Sequence, residues 1–343
     1  MIKETALSKK LFFWFFLVFA FTTLKAQELH LSQPLMNPIL QNPAHTGNSD
    51  SDWRLMANYR SQWRSMGTPF ISNIIGGDKQ LYVLNQSIGV GVLVSYDRSG
   101  DGNLTNFSAG LMASLKKEIG KTVFRGGFRA SYVLNQFDIN RLTFPQQYDR
   151  TQGGFNQQFN NGESAIGQSF SFFDFTLGTI VEHTFSNRLK VGVGFTVNHL
   201  NQPSASFLSD QNQLDVFFSY QAFANYQFNE KMLIKPFVIY SFLSKASQLL
   251  IGADVNYALS DQPQNIDYFI GGIATRSGFN RTFDALVLKA GLGFEKLEVG
   301  VSYDFTMSSI RQVSDYRGAL EFGVILKGAS NFLPFKTLPC ERL

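Results

Sequence analysis

An alternation of apolar and polar residues with a period of two, sustained over segments of about 10–14 residues, limits what this chain can fold into more than any other feature. From Arg188 to Leu200 the odd positions carry Leu189, Val191, Val193, Phe195 and Val197, and the even ones Lys190, Gly192, Gly194, Thr196 and Asn198. Thr122–Asn135 sets Phe124, Phe128, Ala130, Tyr132 and Leu134 against Arg125, Gly127, Arg129, Ser131 and Asn135. Residues 284–295 set Leu286, Leu288 and Leu292 against Lys289, Gly291, Gly293 and Glu295. After a tight turn, Leu297, Val299, Val301 and Phe305 alternate with Glu298, Gly300, Ser302, Asp304 and Thr306. Successive strand side chains point to opposite faces, so each segment is a ribbon with one oily and one polar side.

A soluble sandwich or barrel also alternates, but its strands usually run about five or six residues. Here the segments are longer and their apolar side is dense in Phe, Tyr and Leu. Phe contributes 35 residues, yet Leu11–Phe21 is the only long unbroken apolar run and is too short to span a membrane as a helix, which takes roughly 20 residues. Hydrophobicity spread thinly over two-faced strands is the pattern of a transmembrane barrel. The expectation is all-β: a transmembrane outer-membrane β-barrel of about 14 antiparallel strands.

The predicted strands are 53–63, 70–79, 87–97, 104–116, 122–135, 174–185, 188–200, 215–228, 231–242, 247–257, 265–276, 284–295, 296–306 and 318–328. Bacterial single-chain barrels close with an even strand number, short periplasmic turns and longer extracellular loops. The long connections 136–173, 201–214 and 307–317 all follow odd-numbered strands, as that rule requires. The first, rich in Gln, Asn, Gly and Phe, is a candidate for contact with an extracellular partner, since loops on a rigid scaffold often carry binding; a solvated or lumen-folded loop is the alternative.

Lys3, Lys9 and Lys10, the apolar run and the small residue Ala26 before Gln27 read as a secretory signal over residues 1–26, cleaved after Ala26. Its removal takes Lys3, Lys9, Lys10, Lys25 and Glu4, leaving 26 basic against 25 acidic residues. Overall charge therefore gives nucleic-acid binding no support. The single cysteine, Cys340, excludes an intrachain disulfide and lies in a C-terminal tail, 329–343. Residues 27–52 do not alternate and repeat Asn-Pro at Asn37-Pro38 and Asn42-Pro43. Proline fixes φ and removes a donor, so this is read as a turn-rich segment at the periplasmic mouth or in the lumen as a plug, ahead of a barrel at 53–328.

No catalytic, cofactor or metal site is expected. His30, His45, His183 and His199 lack metal-ligand spacing. A turn at Ser186-Asn187 would set His183 opposite Lys190 and His199 opposite Asp174. No nucleophile elbow marks a serine, and Gly192 with Gly194, or Gly291 with Gly293, suit close packing or barrel bends.

The chain resembles the PorP/SprF membrane proteins associated with type IX secretion and gliding in Bacteroidota. The resemblance runs through Leu31-Ser32-Gln33-Pro34-Leu35-Met36-Asn37-Pro38-Ile39-Leu40-Gln41-Asn42-Pro43-Ala44 to Gly47, through Tyr59-Arg60-Ser61-Gln62-Trp63, and through Gly89-Val90-Gly91 with Asp97-Arg98-Ser99-Gly100. It continues in Asn198–Pro203 and Ile234-Lys235-Pro236, and ends at Tyr303-Asp304 and Gly318-Ala319-Leu320-Glu321. Pro34 stands where the family commonly has an aromatic, and His45-Thr46 replace the usual Tyr-Ala. The motif residues to follow are Asn37, Pro38, Asn42, Pro43, Ala44, Gly47, Tyr59, Arg60, Gln62, Trp63, Asp97, Gly100, Pro236, Asp304 and Glu321.

The resemblance implies an integral outer-membrane protein that binds or anchors a secreted surface protein, an adhesin carrying a type IX secretion signal. A core secretion-machinery role is the alternative, with periplasmic or lipoprotein subunits as further partners. A porin-like diffusion channel is a third reading.

Overall fold

The computed structural model describes residues 30–329 except 66, 84–85, 161–168, 208–211, 244–245, 260–265, 279–282, 309–310 and 312–316. The expected export signal at 1–26 and the tail beyond Ala329 lie outside the described residues. Fourteen strands form one closed barrel: β1 Trp53–Gln62, β2 Phe70–Val83, β3 Gln86–Ser99, β4 Leu104–Ile119, β5 Thr122–Gln136, β6 Ser169–Ser186, β7 Leu189–Asn198, β8 Phe217–Gln227, β9 Met232–Leu243, β10 Ala246–Ala258, β11 Tyr268–Ser277, β12 Phe283–Gly293, β13 Leu297–Thr306 and β14 Arg317–Gly328. Every strand pairs antiparallel with the next, and β14 returns to β1 in register from Trp53 opposite Gly328 to Gln62 opposite Ala319. Closure leaves no unpaired edge, which a lipid interior requires because nothing there can hydrogen-bond a free backbone.

The polarity is inverted relative to a soluble barrel. Leu55, Ile75, Leu111, Phe128, Leu177, Val193 and Ile273 point outward and are exposed, whereas Arg60, Asp78, Thr176, Thr196, Ser302 and Glu321 point inward and are buried. An apolar band of this extent would be a severe aggregation liability in water and is at home in hydrocarbon. No described helix is long and apolar enough to cross a membrane; the strands do the crossing.

The two ends differ. Connections 137–168, 199–216 and 307–316 lie at one end, the loop end, and 120–121, 187–188 and 294–296 at the other, the turn end. Several strand ends move by up to about five residues, β2 for instance running to Val83 rather than 79, and two further details depart from the expectation. β6 begins at Ser169, so the segment expected to be loop through 173 pairs with β5, Asn135 opposite Phe170. There Phe170 and Phe172 turn inward and Ser169 and Ser171 outward, and the inward Phe170 packs against loop residue Phe207 at 4.6 Å. The β6–β7 turn is Asn187-Arg188, with a register shift between Thr184 and Ser186, so His183 faces Val191 rather than Lys190. The extra residue of a bulge moves every pairing beyond it by one.

Candidate functional site

Residues 31–49 fill part of the lumen. Three short helical turns follow one another, Pro34–Met36, Pro38–Gln41 and Pro43–His45, each with proline at its first position. That is where the missing N–H costs nothing and the fixed φ helps. The Asn42 side chain caps the third turn by accepting from the Ala44 N–H at 2.9 Å. Gly47, at φ +66°, supplies the left-handed turn that releases the chain toward β1.

The wall is cut to receive this segment. A Cβ on Gly178 would lie 2.0 Å from Asn42 Oδ1, one on Gly127 2.4 Å from the Ala44 nitrogen, and one on Gly89 2.1 Å from the Thr46 carbonyl oxygen. Asn42 Nδ2 also donates to the Thr179 and Phe195 carbonyls at 3.1 and 3.3 Å. Ile39, Asn37, Asn42 and Thr46 are fully buried.

Toward the loop end, Ser32 and Gln33 insert into a cluster of charges from four strands. Arg60 donates to Glu321 Oε2 at 3.2 Å, to Asp304 Oδ2 at 2.9 Å and to Ser32 Oγ at 2.5 Å. Arg276 donates to the same Asp304 oxygen at 2.7 Å. Glu321 also accepts the backbone N–H groups of Ser32 and Gln33 at 2.8 and 3.1 Å, and Ser32 Oγ donates to Asp304 at 2.8 Å. Burying such charges is costly unless each is paired and hydrogen-bonded, and most of these groups are. The exception is Asp304 Oδ1, which has no partner.

Cross-strand register explains how residues so distant in sequence meet. Lys235, Asp254, Gly272, Lys289, Ser302, Glu321, Arg60, Ser72, Asp97, Asn106 and Asn135 are successive Cα partners along one row that runs through the β14–β1 seam. Register puts paired residues on the same side of the sheet, so the whole row faces inward.

Toward the turn end, Arg54 forks onto Asp78 at 2.7 and 2.9 Å, while Asp78 accepts the Gly47 N–H at 2.6 Å and Arg54 donates to the His45 carbonyl at 2.8 Å. His45 lies 3.2 Å from Gln221 and 5.5 Å, ring to ring, from Phe223. Burial, and next the charge of Arg54, pushes its imidazole down from its ordinary value to about 3. Beside the plug a cavity of about 370 Å³ runs along β8–β14, reached by Lys235, Asp254, Lys289, Glu298 and Lys327 and floored by Leu35, Phe223, Phe237 and Ile239. Among the described residues no group of three His, Cys, Asp or Glu side chains could hold a metal ion.

At the loop end, residues 144–159 of the β5–β6 connection are held by their own bonds. Tyr148–Asp149 pairs with Gly154–Phe155, and buried Gln147 accepts from Phe144 N–H at 3.2 Å and donates to the Phe159 carbonyl at 3.3 Å. Tyr148, Phe155 and Phe159 are left exposed on it.

Comparison with known proteins bears on what such a barrel is. The family described as type IX secretion system membrane protein PorP/SprF matches residues 23–325. The chain belongs to that family. As a PorP/SprF protein it is an outer-membrane component of type IX secretion. Solved structures similar to it share the fold at very low identity. One is the CymD monoaromatic hydrocarbon channel, at 9% identity and TM-score 0.51, covering 90% of this chain and 96% of that one. Another is a Pseudomonas aeruginosa FadL homologue, at 11% and 0.52, covering 83% and 92%. No curated protein matches significantly.

In this PorP/SprF chain, most of the motif residues fall into two groups. Asn37, Pro38, Asn42, Pro43, Ala44 and Gly47 belong to the plug, and Asn37 donates to Asn58 at 3.1 Å. Arg60, Asp304 and Glu321 meet in the charge cluster; Gln62 accepts from Arg60 at 3.4 Å, and Asp97, bonded to Ser72, lies further along the same row. The others stay apart. Tyr59 accepts from Arg64, Trp63 (φ 57°) packs edge-on against Phe70 at 4.9 Å, Gly100 (φ 67°) makes a loop-end turn, and Pro236 points outward and is exposed. His199 does meet Asp174, Nδ1 to Oδ1 at 2.9 Å, and His183 bonds Thr122 at 2.8 Å. Gly192 and Gly293 lie under the rings of Phe223 and Tyr268. Sequence reasoning missed Arg276, Arg54 and Asp78. Each is a charge on the inward face of an alternating strand, which was the available signal.

Proposed function

We propose that the chain is a plugged scaffold that binds and anchors a secreted surface protein, such as an adhesin, at the loop end, and that it performs no catalysis. Long loops of such barrels face the exterior and short turns the periplasm, so the loop end is the extracellular face. In this reading residues 27–52 are the plug, 53–328 the barrel, and 1–26 are removed after Ala26. The observation that carries it is the occupied lumen: residues 31–49 are tied into two charge clusters and seated on wall glycines, an arrangement that suits a rigid platform better than an open conduit. The internally bonded loop with Tyr148, Phe155 and Phe159 exposed supports it further, because rigid aromatics make strong interface anchors.

Purification of the tagged protein from detergent-solubilised outer membrane tests the reading. Recovery of one large exported protein is expected. Recovery of the secretion apparatus alone would favour a core role instead and overturn the anchoring assignment.

A diffusion channel is the second reading, favoured by the cavity beside the plug. It predicts stable conductance in a planar bilayer, whereas a plugged anchor passes little current.

A further inference from the structure

We infer that the cavity beside the plug is a binding site for a single-chain amphipathic carboxylate, its head at Lys235 and its tail directed inward. The site has two chemically distinct parts. Phe223, the direct cross-strand partner of Phe237, packs together with Ile239 and the plug residue Leu35 on a buried cluster of Phe237, Leu250, Ala274 and Val287. This floor lies further from the turn end than Lys235, which precedes Phe237 by two residues on the same face of β9. Along β9 the lining runs from Leu233 through Lys235 to Phe237 and Ile239, so a chain whose head is held at Lys235 reaches the apolar floor by extending inward.

The lining cations distinguish the head. Lys289 is held by Asp254 at 2.9 Å and lies over the Phe237 ring at 4.4 Å. Lys327 is held by Glu298 at 2.9 Å, which also accepts from Tyr268, and Lys190 by Glu182 at 3.0 Å. Lys235 has neither ion pair nor hydrogen bond among the described residues; its cross-strand partner Asp254 is already engaged by Lys289. The carboxylates nearest it, Asp254 and Glu298, are already bonded to Lys289 and to Lys327 with Tyr268, so an ammonium with no ion pair of its own beside an apolar recess matches an anion on an oily chain. At about 370 Å³ the space lies at the small end of the roughly 300–1,000 Å³ typical of ligand pockets. That suits one acyl chain and not a folded partner.

The test uses full-length protein exchanged into amphipol and dialysed to equilibrium against radiolabelled laurate, with dodecanol as the uncharged probe. Saturable one-to-one laurate binding is expected, with dodecanol weaker. Lys235→Gln should weaken laurate by about tenfold, equivalent to roughly 1.4 kcal/mol, and leave dodecanol unchanged. Leu35→Trp and Ile239→Trp, which fill the recess from plug and wall, should each abolish both, with the folded state of each variant checked by heat-modifiable migration. Laurate that fails to saturate, that binds Lys235→Gln as tightly as the unaltered protein, or that still binds both filled variants in their folded form overturns the proposal.

Discussion

Arg60 and Glu321 face each other directly across the β1–β14 seam, and their side chains close it from inside at 3.2 Å. The pair joins the first and last strands of the barrel and also receives Ser32 of the plug, so seam and plug share one set of charges.

Removing one partner should therefore cost more than removing both. With Glu321 0% and Asp304 1% exposed, Arg60→Met leaves carboxylates under-paired, and breaking a buried pair costs about 3–5 kcal/mol. The double change Arg60→Met with Glu321→Leu should recover part of that loss. Guanidinium unfolding in detergent measures it, and additive losses would show that the two residues are not coupled.

The plug predicts its own weak points. Gly127→Val and Gly178→Val put side-chain carbons into backbone and side-chain atoms of 42–44 that have nowhere to move. Both should leave the barrel closed and unseat the segment, raising amide exchange over residues 42–47 at least about tenfold, since local opening sets that rate. Unchanged protection in both variants would show that the plug does not depend on this fit.

The seated plug should also weaken as the solution acidifies. His45 is held neutral in the folded state, its imidazole depressed to about 3, whereas the released segment takes up a proton near the ordinary value of about 6.5. The released form then binds more protons below that value, so stability falls as pH drops from about 6.5 toward 3. Protection of residues 42–47 should fall over this window, and His45→Gln should flatten the response.

How much of this was legible in the sequence follows from the range of the physics involved. Strands such as Leu189–Asn198 show themselves locally, because alternation is a property of neighbours. The meeting of Arg60 with Glu321 depends on register around the whole barrel, which no local pattern encodes; a family motif marked these residues without saying that they touch. Arg276, on the inward face of β11, carried no such mark. His183 was misplaced because one extra residue near Phe185 shifts the register. The Ser169–Phe173 stretch was read as loop because its polarity reverses there.

That reversal gives the last prediction. Leu177, near the middle of β6, points outward and is exposed, while Ser171 points outward above the band. A charge on the lipid face costs about 2–4 kcal/mol at the midplane and about 0–1 near the interfaces. Leu177→Arg should therefore lower stability in lipid vesicles by about 2–4 kcal/mol, and Ser171→Arg should leave it nearly unchanged. Both residues belong to one strand and face the same way, and Leu177→Gln, which removes the same leucine without adding a charge, should cost less than Leu177→Arg. Equal effects at the two sites would mean that the membrane boundary does not fall between them.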